Sequence, residues 1–365
     1  MPQPIVSLFS LNGTNGFTIN GIDQDDRAGY DISSAGDVNA DGIDDLIIGA
    51  GFANPSGNLS AGESYVVFGK DSSFDSSLDL SSLDGTNGFT INGIDRFDGS
   101  SRSVSSAGDI NADGIDDLII GAAGADPNGN RAAGESYVVF GKDSSFTSSL
   151  DLSSLDGTNG FTINGIDRGD LSGRSVSSAG DINADGIDDL IIGALGADPN
   201  GNLSAGESYV VFGKDSSFDS SLDLSSLDGT NGFTINGIDR DDLSGGSVSS
   251  AGDINADGID DLIIGAAGGN PSGNADAGES YVVFGKDNSF DSSLDLSSLD
   301  GTNGFTINGI DRFDSSGYAI SSAGDINADG IDDLIIGASG ADPSGKAHAG
   351  ESYVIFGKDS SFNSS

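Results

Sequence analysis

The sequence predicts an all-β protein, and three observations support this prediction. The 365-residue chain repeats itself, because the motif Asp-(Ile/Val)-Asn-Ala-Asp-Gly-Ile-Asp-Asp begins at positions 37, 109, 181, 253 and 325, a spacing of 72 residues. Each repeat holds four short apolar runs rich in β-branched and aromatic residues, and no helical period. Gly, Asn, Asp and Ser fill the gaps between the runs. Four-stranded antiparallel units in series are typical of a β-propeller, so we expect a single domain of five such blades.

We call the four predicted strands of each repeat A, B, C and D. In the second repeat they cover residues 103–107, 117–122, 135–141 and 160–166. Strand B is a continuous apolar run, as expected where both faces of a strand are covered. Strand A carries Ser and Ala, which suits the crowded position nearest the propeller axis. A parallel β-helix is the alternative, but its coils are shorter than 72 residues.

The two ends of the chain predict how the ring of blades closes. A D strand at residues 16–22 precedes any A strand, and the last repeat ends soon after its C strand at Gly357. The N-terminal D strand is therefore expected to pair with the C-terminal A, B and C strands. This pairing would remove an exposed sheet edge, which natural proteins avoid.

Charge and composition exclude several classes of function. The chain has 14 Lys and Arg against 58 Asp and Glu, a formal net charge of −44, so no basic surface is available for nucleic acid or anionic membranes. No apolar run approaches the roughly 20 residues of a membrane-spanning helix, so we expect no membrane insertion. The absence of Cys excludes thiolate catalysis and Cys-ligated zinc. No secretory signal peptide is visible at the N-terminus, so the sequence does not reveal a secretion route.

The segment between strands A and B has the chemistry of a metal-binding loop. From Asp109 to Asp117, oxygen-bearing side chains stand at positions 1, 3, 5 and 9, Gly114 permits a tight bend, and Ile115 can offer its backbone carbonyl. Hard oxygen ligands in this number favour Ca²⁺ over Mg²⁺, and the lack of His and Cys disfavours transition metals. The loop is not an EF-hand, because its twelfth position is Ile120. The alternative is a metal-free Asx-turn connector, although the crowded carboxylates would then repel one another.

These motifs resemble FG-GAP repeats, the blades of the integrin alpha-chain β-propeller and of its bacterial relatives. The resemblance rests on the segment from Ala107 to Ala122 and on Glu-Ser-Tyr-Val-(Val/Ile)-Phe-Gly, which recur in all five repeats. Propellers of that family usually have seven blades, two more than the repeats counted here. The resemblance implies about five calcium ions, one per repeat. The implied ligands are Asp37, Asn39, Asp41, Ile43, Asp45, Asp109, Asn111, Asp113, Ile115, Asp117, Asp181, Asn183, Asp185, Ile187, Asp189, Asp253, Asn255, Asp257, Ile259, Asp261, Asp325, Asn327, Asp329, Ile331 and Asp333.

The sequence offers no catalytic site, so we expect no enzyme. His348 is the single His and lies in a polar loop with no repeated partner, which favours a solvated loop residue over a general base. Ser residues abound, but no His lies beside a nucleophile-like turn, so a Ser-His-Asp arrangement has no material support. Tyr137 and Phe140 recur in every repeat at strand spacing, which favours blade packing over a ligand site.

The repeats differ mainly in their D–A and B–C connections. Because successive strands alternate in direction, these connections share one face of the disc, and the A–B loops lie on the other. The varied residues are aromatic, aliphatic or Arg, and aromatic and Arg residues are enriched at interface hot spots. The alternative is neutral drift in exposed loops. The candidates are Tyr30, Phe97, Arg102, Arg174, Phe313 and Tyr318 in the D–A connections, with Phe52, Arg131 and Leu195 in the B–C connections.

Together these features predict a calcium-binding extracellular β-propeller that acts in recognition or adhesion, without catalysis. Its partner would be a protein or glycan on the D–A/B–C face. One alternative is a multivalent sugar-binding lectin with one site per blade gap. Others are a structural cell-surface protein, or repeats that fold and do nothing further. The oligomeric state is not predicted.

Overall fold

The structure is a computed structural model, and it describes residues 7–359 and residue 362. Within these residues the secondary structure consists of β-strands and single 3-10 turns, and no α-helix is present. No helix in the described part of the chain is long and apolar enough to span a membrane. The all-β prediction is therefore confirmed.

Each of the first four repeats contributes strands of the four expected types and one more, whereas the described residues of the fifth repeat contribute strands A, B and C. The A strands are β2 (Asp31–Gly36), β7 (Ser103–Gly108), β12 (Ser175–Gly180), β17 (Ser247–Gly252) and β22 (Ser316–Gly324). The B strands are β3 (Asp45–Ala50), β8 (Asp117–Ala122), β13 (Asp189–Ala194), β18 (Asp261–Ala266) and β23 (Asp333–Ala338). The C strands are β4 (Glu63–Val67), β9 (Glu135–Val139), β14 (Glu207–Val211), β19 (Glu279–Val283) and β24 (Glu351–Ile355).

The D strands and the additional strands are shorter. The D strands are β1 (Thr18–Asn20), β6 (Gly88–Asn92), β11 (Gly160–Asn164), β16 (Gly232–Asn236) and β21 (Gly304–Asn308). The additional strands, which we call E strands, are β5 (Ser77–Asp79), β10 (Ser149–Asp151), β15 (Ser221–Asp223) and β20 (Ser293–Asp295). The 3-10 turns are Leu8–Ser10, Pro55–Gly57, Leu80–Ser82, Pro127–Gly129, Leu152–Ser154, Pro199–Gly201, Leu224–Ser226, Pro271–Gly273, Leu296–Ser298 and Pro343–Gly345.

Strands A to D pair antiparallel in chain order. In the second repeat β7 pairs with β8, β8 with β9 and β9 with β11. A bulge between Ser106 and Gly108 ends strand A, and Gly108 takes a φ of 67°. A Cβ at Gly108 would collide with the Asp188 carboxylate of the next repeat, so this position requires glycine.

Successive sheets pack face to face through buried apolar side chains. Between the second and third repeats, Ile119 and Val138 lie in one buried cluster with Leu190, Ile192 and Tyr209. Because side chains alternate along a strand, one face of each sheet packs on the preceding repeat and the other face on the following repeat. We call these the front face and the back face of a repeat.

The A strands lie side by side along the inside of the arrangement. Neighbouring A strands contact one another in the order β2, β7, β12, β17 and β22. The Val104 amide donates to Asp31 Oδ2 at 2.8 Å, and the Val176 amide donates to Ser103 Oγ at 3.1 Å. This places strand A innermost, as the sequence predicted, in an arrangement consistent with a β-propeller.

The E strands correct the prediction of purely four-stranded antiparallel blades. Each lies in the C–D connection of one repeat but pairs in parallel with the D strand of the repeat before it, as β10 does with β6. The sequence gives no signal for this link, because only three residues pair and their partner lies in another repeat. The E strands join neighbouring repeats.

The predicted ring closure is not confirmed, because no pairing between β1 and β24 is present among the described residues. The N-terminal strand β1 pairs with β5, and within the described residues the last sheet consists of β22, β23 and β24. The strand β1 takes the position of a D strand that precedes the first repeat, and it pairs in parallel with β5. The five repeats therefore form an open arc in which the first front face and the last back face have not met.

Candidate metal-binding loops and partner-binding face

The A–B loops are held by side-chain oxygens that accept backbone N–H groups. In the second repeat Asp109 accepts the Asp113 amide at 3.0 Å and the Gly114 amide at 2.8 Å. Asn111 also accepts the Asp113 amide, at 2.9 Å, and Asp113 accepts the Ile115 amide at 3.0 Å. The loop thus curls around the oxygens at positions 1, 3 and 5. This geometry is that of the Asx turns that the sequence analysis weighed as an alternative.

The last predicted ligand, Asp117, differs from the others because it is buried. Its carboxylate accepts the Ile110 amide at 3.2 Å and the Gly141 amide at 2.8 Å. Burial raises the pKa of Asp117 to about 8, and the nearby Asp113 and Asp109 carboxylates raise it further against the lowering effect of the Gly141 amide. A buried carboxylate beside two others favours a cation or a proton.

The same construction recurs along the chain. Burial raises the pKa of Asp45 to about 7, and that of Asp189 and Asp261 to about 8. In the described residues, no three Asp, Glu or His side chains converge in a metal-ligating arrangement. The donor set still suits a hard cation, since carboxylate, amide and carbonyl oxygens lie within nine residues. The 25 predicted ligands remain a prediction.

A link between neighbouring A–B loops was missed by the sequence analysis. Asp116 of the second repeat accepts the Asp37 amide of the first repeat at 2.8 Å. Asp188, Asp260 and Asp332 accept the equivalent amides of the preceding loops at 2.9, 3.0 and 3.1 Å. The eighth residue of the motif therefore links each A–B loop to the loop of the preceding repeat. Asp44, in the first repeat, is the exception, because no loop precedes it among the described residues.

On the opposite side of the arc, one repeat position converges on one cavity; it directly precedes strand A in the first four repeats and lies near the start of β22 in the fifth. This repeat position holds Tyr30, Arg102, Arg174, Gly246 and Tyr318, and all five line a cavity of about 420 Å³. Leu195, from a B–C connection, also lines it. A single repeat position thus supplies one shared site with two Tyr, two Arg and one Gly.

The structure separates the remaining partner-binding candidates from this cavity. Phe97 and Phe313 are exposed but are not among its lining residues, and neither is Arg131. Phe52 supports the cavity edge, because the Arg102 guanidinium lies 4.7 Å from its ring centre and the Tyr30 ring lies 5.8 Å away, edge to face. Four of the six candidates in the D–A connections therefore meet at one place.

The two cavity arginines, Arg102 and Arg174, make no salt bridge with any residue that the structure describes. Among the described residues, the one ion pair within 4.0 Å joins Arg240 to Asp241. Arg102 and Arg174 are exposed at the cavity, although the protein carries a formal charge of −44. Asp31 also lines the cavity, and its Oδ2 accepts the Val104 amide. The cavity presents cationic and aromatic groups on an otherwise acidic protein.

Each repeat also holds a buried acidic pocket at the D–A connection, which sequence reasoning overlooked. Asp98 accepts the Asp95 amide at 3.2 Å, and burial raises its pKa to about 6, with Glu135, Asp95 and Asp126 adding to the effect. The Tyr137 hydroxyl donates to Glu135, and burial raises the pKa of both groups. Asp recurs at this position in all five repeats, and this recurrence could have indicated the acidic pocket from the sequence.

Other predicted residues fall where expected. Tyr137 is buried in the interface between the first and second repeats, and Phe140 packs on the next interface. His348 is exposed in its loop, where its backbone amide donates to Asp342 Oδ1. These placements agree with packing and solvated-loop roles.

Comparison with known proteins identifies the repeats. The FG-GAP repeat family matches residues 28–67, 102–139, 172–211, 244–283 and 316–355. A phosphatidylinositol-glycan-specific phospholipase D of Dictyostelium discoideum is 33% identical over 198 residues, covering 50% of this chain and 19% of that protein. Integrin alpha-5 of Xenopus laevis is 28% identical over 195 residues, covering 52% and 17%. Integrin alpha pat-2 of Caenorhabditis elegans is 28% identical over 240 residues, covering 63% and 17%.

The chain matches less than a fifth of the length of each of these relatives. The shared part is the repeat region, whose five matched segments coincide with strands A to C of the five repeats. These segments together make up more than half of the chain. The chain belongs to the FG-GAP repeat family.

Proposed function

We propose that this protein is a calcium-binding extracellular recognition module without catalytic activity, and that its partner binds over the central cavity. The repeats and the similarity to integrin alpha chains support a protein-interaction or adhesion role. The observation that carries the proposal is the convergence of Tyr30, Arg102, Arg174 and Tyr318 on one cavity. Loops that drift neutrally would not concentrate aromatic and Arg residues at a single shared site.

The cavity suits a partner that presents carboxylates. Arg102 and Arg174 make no salt bridge with a described residue, and guanidinium groups bind carboxylates through paired, charge-assisted hydrogen bonds. Tyr30 and Tyr318 supply rigid apolar surface with a polar tip. An acidic peptide loop or an acidic glycan has the matching chemistry.

Calcium would stabilise the opposite side of the arc. The predicted ligands of the second repeat, from Asp109 to Asp117, would hold the ion, which supplies positive charge to crowded carboxylates. Five divalent ions would offset ten of the 44 excess negative charges and leave −34. Because the protein is proposed to act outside the cell, we expect affinities on the order of 0.1 to 1 mM per site, as in other extracellular calcium modules.

The absence of catalysis is part of the proposal. The single His348 has only a backbone hydrogen bond to Asp342 within the described residues, so no nucleophile–base pair is formed there. The similarity to phospholipase D covers 19% of that relative, so its activity is not transferred to this chain. Fold alone does not assign activity.

A binding screen with matched variants tests the proposal. The protein would be presented to arrays of peptides and glycans in calcium, alongside the Arg102→Ser/Arg174→Ser double variant. We expect this variant to lose at least about tenfold in affinity for acidic ligands, because truncating an interface hot spot costs about 2 kcal/mol or more. The control is Phe97→Ser/Phe313→Ser, which changes exposed residues of the same connections outside the cavity. Equal losses in both variants would contradict the cavity as the binding site.

One observation favours the lectin alternative and gives the same screen a second readout. A cavity of about 320 Å³ is lined by Lys286, Phe290, Asp295 and Asn303, residue types that recur in other repeats. The Lys286 ammonium already lies 4.4 Å from the Phe290 ring centre, so these groups are engaged in packing. Glycan binding that survives Arg102→Ser/Arg174→Ser would favour the lectin.

A further inference from the structure

The central cavity holds a carboxylate as well as two guanidinium groups. Asp31 is half-buried and lines the cavity together with Arg102 and Arg174. The equivalent position of the other repeats holds small residues, namely Ser103, Ser175, Ser247 and Ala319. Asp31 therefore brings to the cavity a negative charge that no other repeat supplies at this position.

The link between neighbouring A strands does not require this charge. Asp31 Oδ2 accepts the Val104 amide of the second repeat at 2.8 Å. Ser103 Oγ and Ser175 Oγ accept the equivalent amides of the repeats that follow them, each at 3.1 Å. A hydroxyl group is thus a sufficient acceptor for this bond. The difference between Asp31 and the Ser residues lies in the charge that Asp31 presents to the cavity.

The opposite charges of the cavity lie near one another without forming an ion pair. Burial raises the pKa of Asp31, although the Val104 and Ile32 amides and the Arg174 guanidinium oppose this rise. No salt bridge within 4.0 Å joins Asp31 to Arg174 in the described part of the chain. The Asp31 carboxylate would therefore be stabilised by a further positive charge, and the guanidinium groups by a negative one.

The rest of the cavity suits a small molecule with an apolar part. Leu195, Leu243 and Ala267 line it, as do the exposed aromatic residues Tyr30 and Tyr318. Its volume of about 420 Å³ falls within the range of about 300–1,000 Å³ that is typical of small-molecule sites. Such sites combine apolar walls with a few polar groups that orient the ligand.

From this arrangement we propose that the cavity binds a small zwitterion with an apolar side chain, such as a free amino acid or a dipeptide. The ammonium group of the ligand would lie beside Asp31, and its carboxylate would lie beside Arg102 and Arg174. Its side chain would pack on Leu195 and Leu243. This inference rests on the proposed function, because it takes the cavity as the recognition site, and it adds a cationic group to the ligand.

The position of Asp31 favours a zwitterion over a ligand that carries only a carboxylate. A carboxylate bound to Arg174 would lie near the carboxylate of Asp31, and like charges at short range repel. An ammonium group beside Asp31 removes this repulsion and forms charge-assisted hydrogen bonds of its own. The ligand that fits both charges of the cavity is therefore one that carries both opposite charges itself.

Blocked ligands test the inference on the unmodified protein. Leucine and the dipeptide leucyl-leucine would be titrated in calcium by ligand-observed NMR, alongside their N-acetylated and C-amidated forms. We expect at least one of the two free zwitterions to bind, and each block to weaken it by at least about tenfold, because each removes one partner of a charge pair. Tighter binding of leucine or of leucyl-leucine decides whether the ligand is an amino acid or a peptide.

The Asp31→Ser variant tests the same point on the protein. It restores the residue of the next three repeats and keeps an acceptor for the Val104 amide, so calcium-dependent melting should be unchanged. Its affinity for the zwitterion should fall by at least about tenfold, and N-acetylation should then have no further effect. The matched control is Asp276→Ser, an exposed Asp of a B–C connection outside the cavity, where the first and third repeats also carry Ser. This control should bind like the unmodified chain.

Four results would each overturn the inference: no binding of either zwitterion, equal binding of the N-acetylated form, full affinity in Asp31→Ser, and an equal loss in Asp276→Ser. The proposed function fails separately. If acidic ligands lose affinity in Arg102→Ser/Arg174→Ser but neither N-acetylation nor Asp31→Ser matters, the zwitterion is wrong and the cavity stands as the recognition site. If the double Arg variant binds every ligand like the unmodified chain, the cavity itself is not the recognition site.

Discussion

The two sides of the arc differ in how the repeats use their shared sequence. On the A–B side, the nine-residue motif is almost identical in all five repeats, and every loop folds in the same way. On the D–A/B–C side, the repeat position of Tyr30 holds Tyr, Arg or Gly, yet all five residues at this position line one cavity. The residues of the A–B loops, which each form a separate loop in their own repeat, are nearly identical between repeats. The residues that line the one shared cavity differ between repeats. We therefore assign stability to the first side and recognition to the second.

Removing calcium should have the largest effect, and it should act through the A–B side. Ligand bound to the native state adds about 2.7 kcal/mol per site when free calcium is about 100 times the dissociation constant. Chelation should therefore lower the melting temperature markedly, and calcium should restore it more effectively than magnesium. In the Asp113→Ala variant, which loses one predicted ligand, the calcium-dependent gain should shrink by roughly the share of one site. A melting temperature that does not change when calcium is chelated would contradict calcium binding.

The next largest effect concerns the hydrogen bonds that join neighbouring A–B loops. Asp116→Ala removes the acceptor of the Asp37 amide, and hydrogen bonds to charged groups contribute about 1.5–3 kcal/mol. We expect urea denaturation to show a loss of about 2 kcal/mol in the free energy of unfolding. The control is Asp44→Ala, the equivalent exposed residue with no preceding loop, which should change stability by less than about 0.5 kcal/mol. If the two variants lose the same stability, the inter-repeat bond has no energetic role.

A smaller effect concerns the acidic pockets of the D–A side. The pKa values of Asp98, Asp170 and Asp242 are each raised to about 6, mainly by burial; a hydrogen-bonded backbone amide opposes this rise and neighbouring acids add to it. Because an unfolded Asp titrates near about 3.9, the native state binds more protons in between, so stability falls as pH rises from about 4 to about 6. We expect Asp98→Asn to remove its share of this loss, on the order of 1 kcal/mol. Urea midpoints at pH 4.5 and 7.5 measure it, and parallel shifts in both proteins would contradict the assignment.

The comparison also shows which features the sequence could predict. Strand B was predicted at 117–122, which matches β8 (Asp117–Ala122), because a continuous apolar run bounded by Asp and Gly leaves little choice. Strands C and D were predicted too long, since β9 ends at Val139 and β11 at Asn164. The FG-GAP resemblance is confirmed by the family match.

The features that escaped prediction depend on contacts between repeats. The E strands pair with the preceding repeat, so nothing within their three residues identifies them as strands. Ring closure stays a prediction, because the angle between repeats is set by packing between sheets, which a periodic apolar pattern does not encode. The cavity could have been found in part, because Tyr30, Arg102, Arg174 and Tyr318 share one repeat position. Their convergence required the curvature of the arc.

The assignment of calcium binding to the A–B side and of recognition to the D–A/B–C side can be tested most directly by amide hydrogen exchange with and without calcium. The near identity of the repeats is no obstacle, because peptides need to be assigned only to a side and not to a repeat. We predict that calcium slows exchange in the A–B loops, such as residues 109–117, and leaves the D–A connections, such as residues 95–102, unchanged. Slower exchange in the D–A connections with unchanged A–B loops would place the ion on the recognition side and contradict the account.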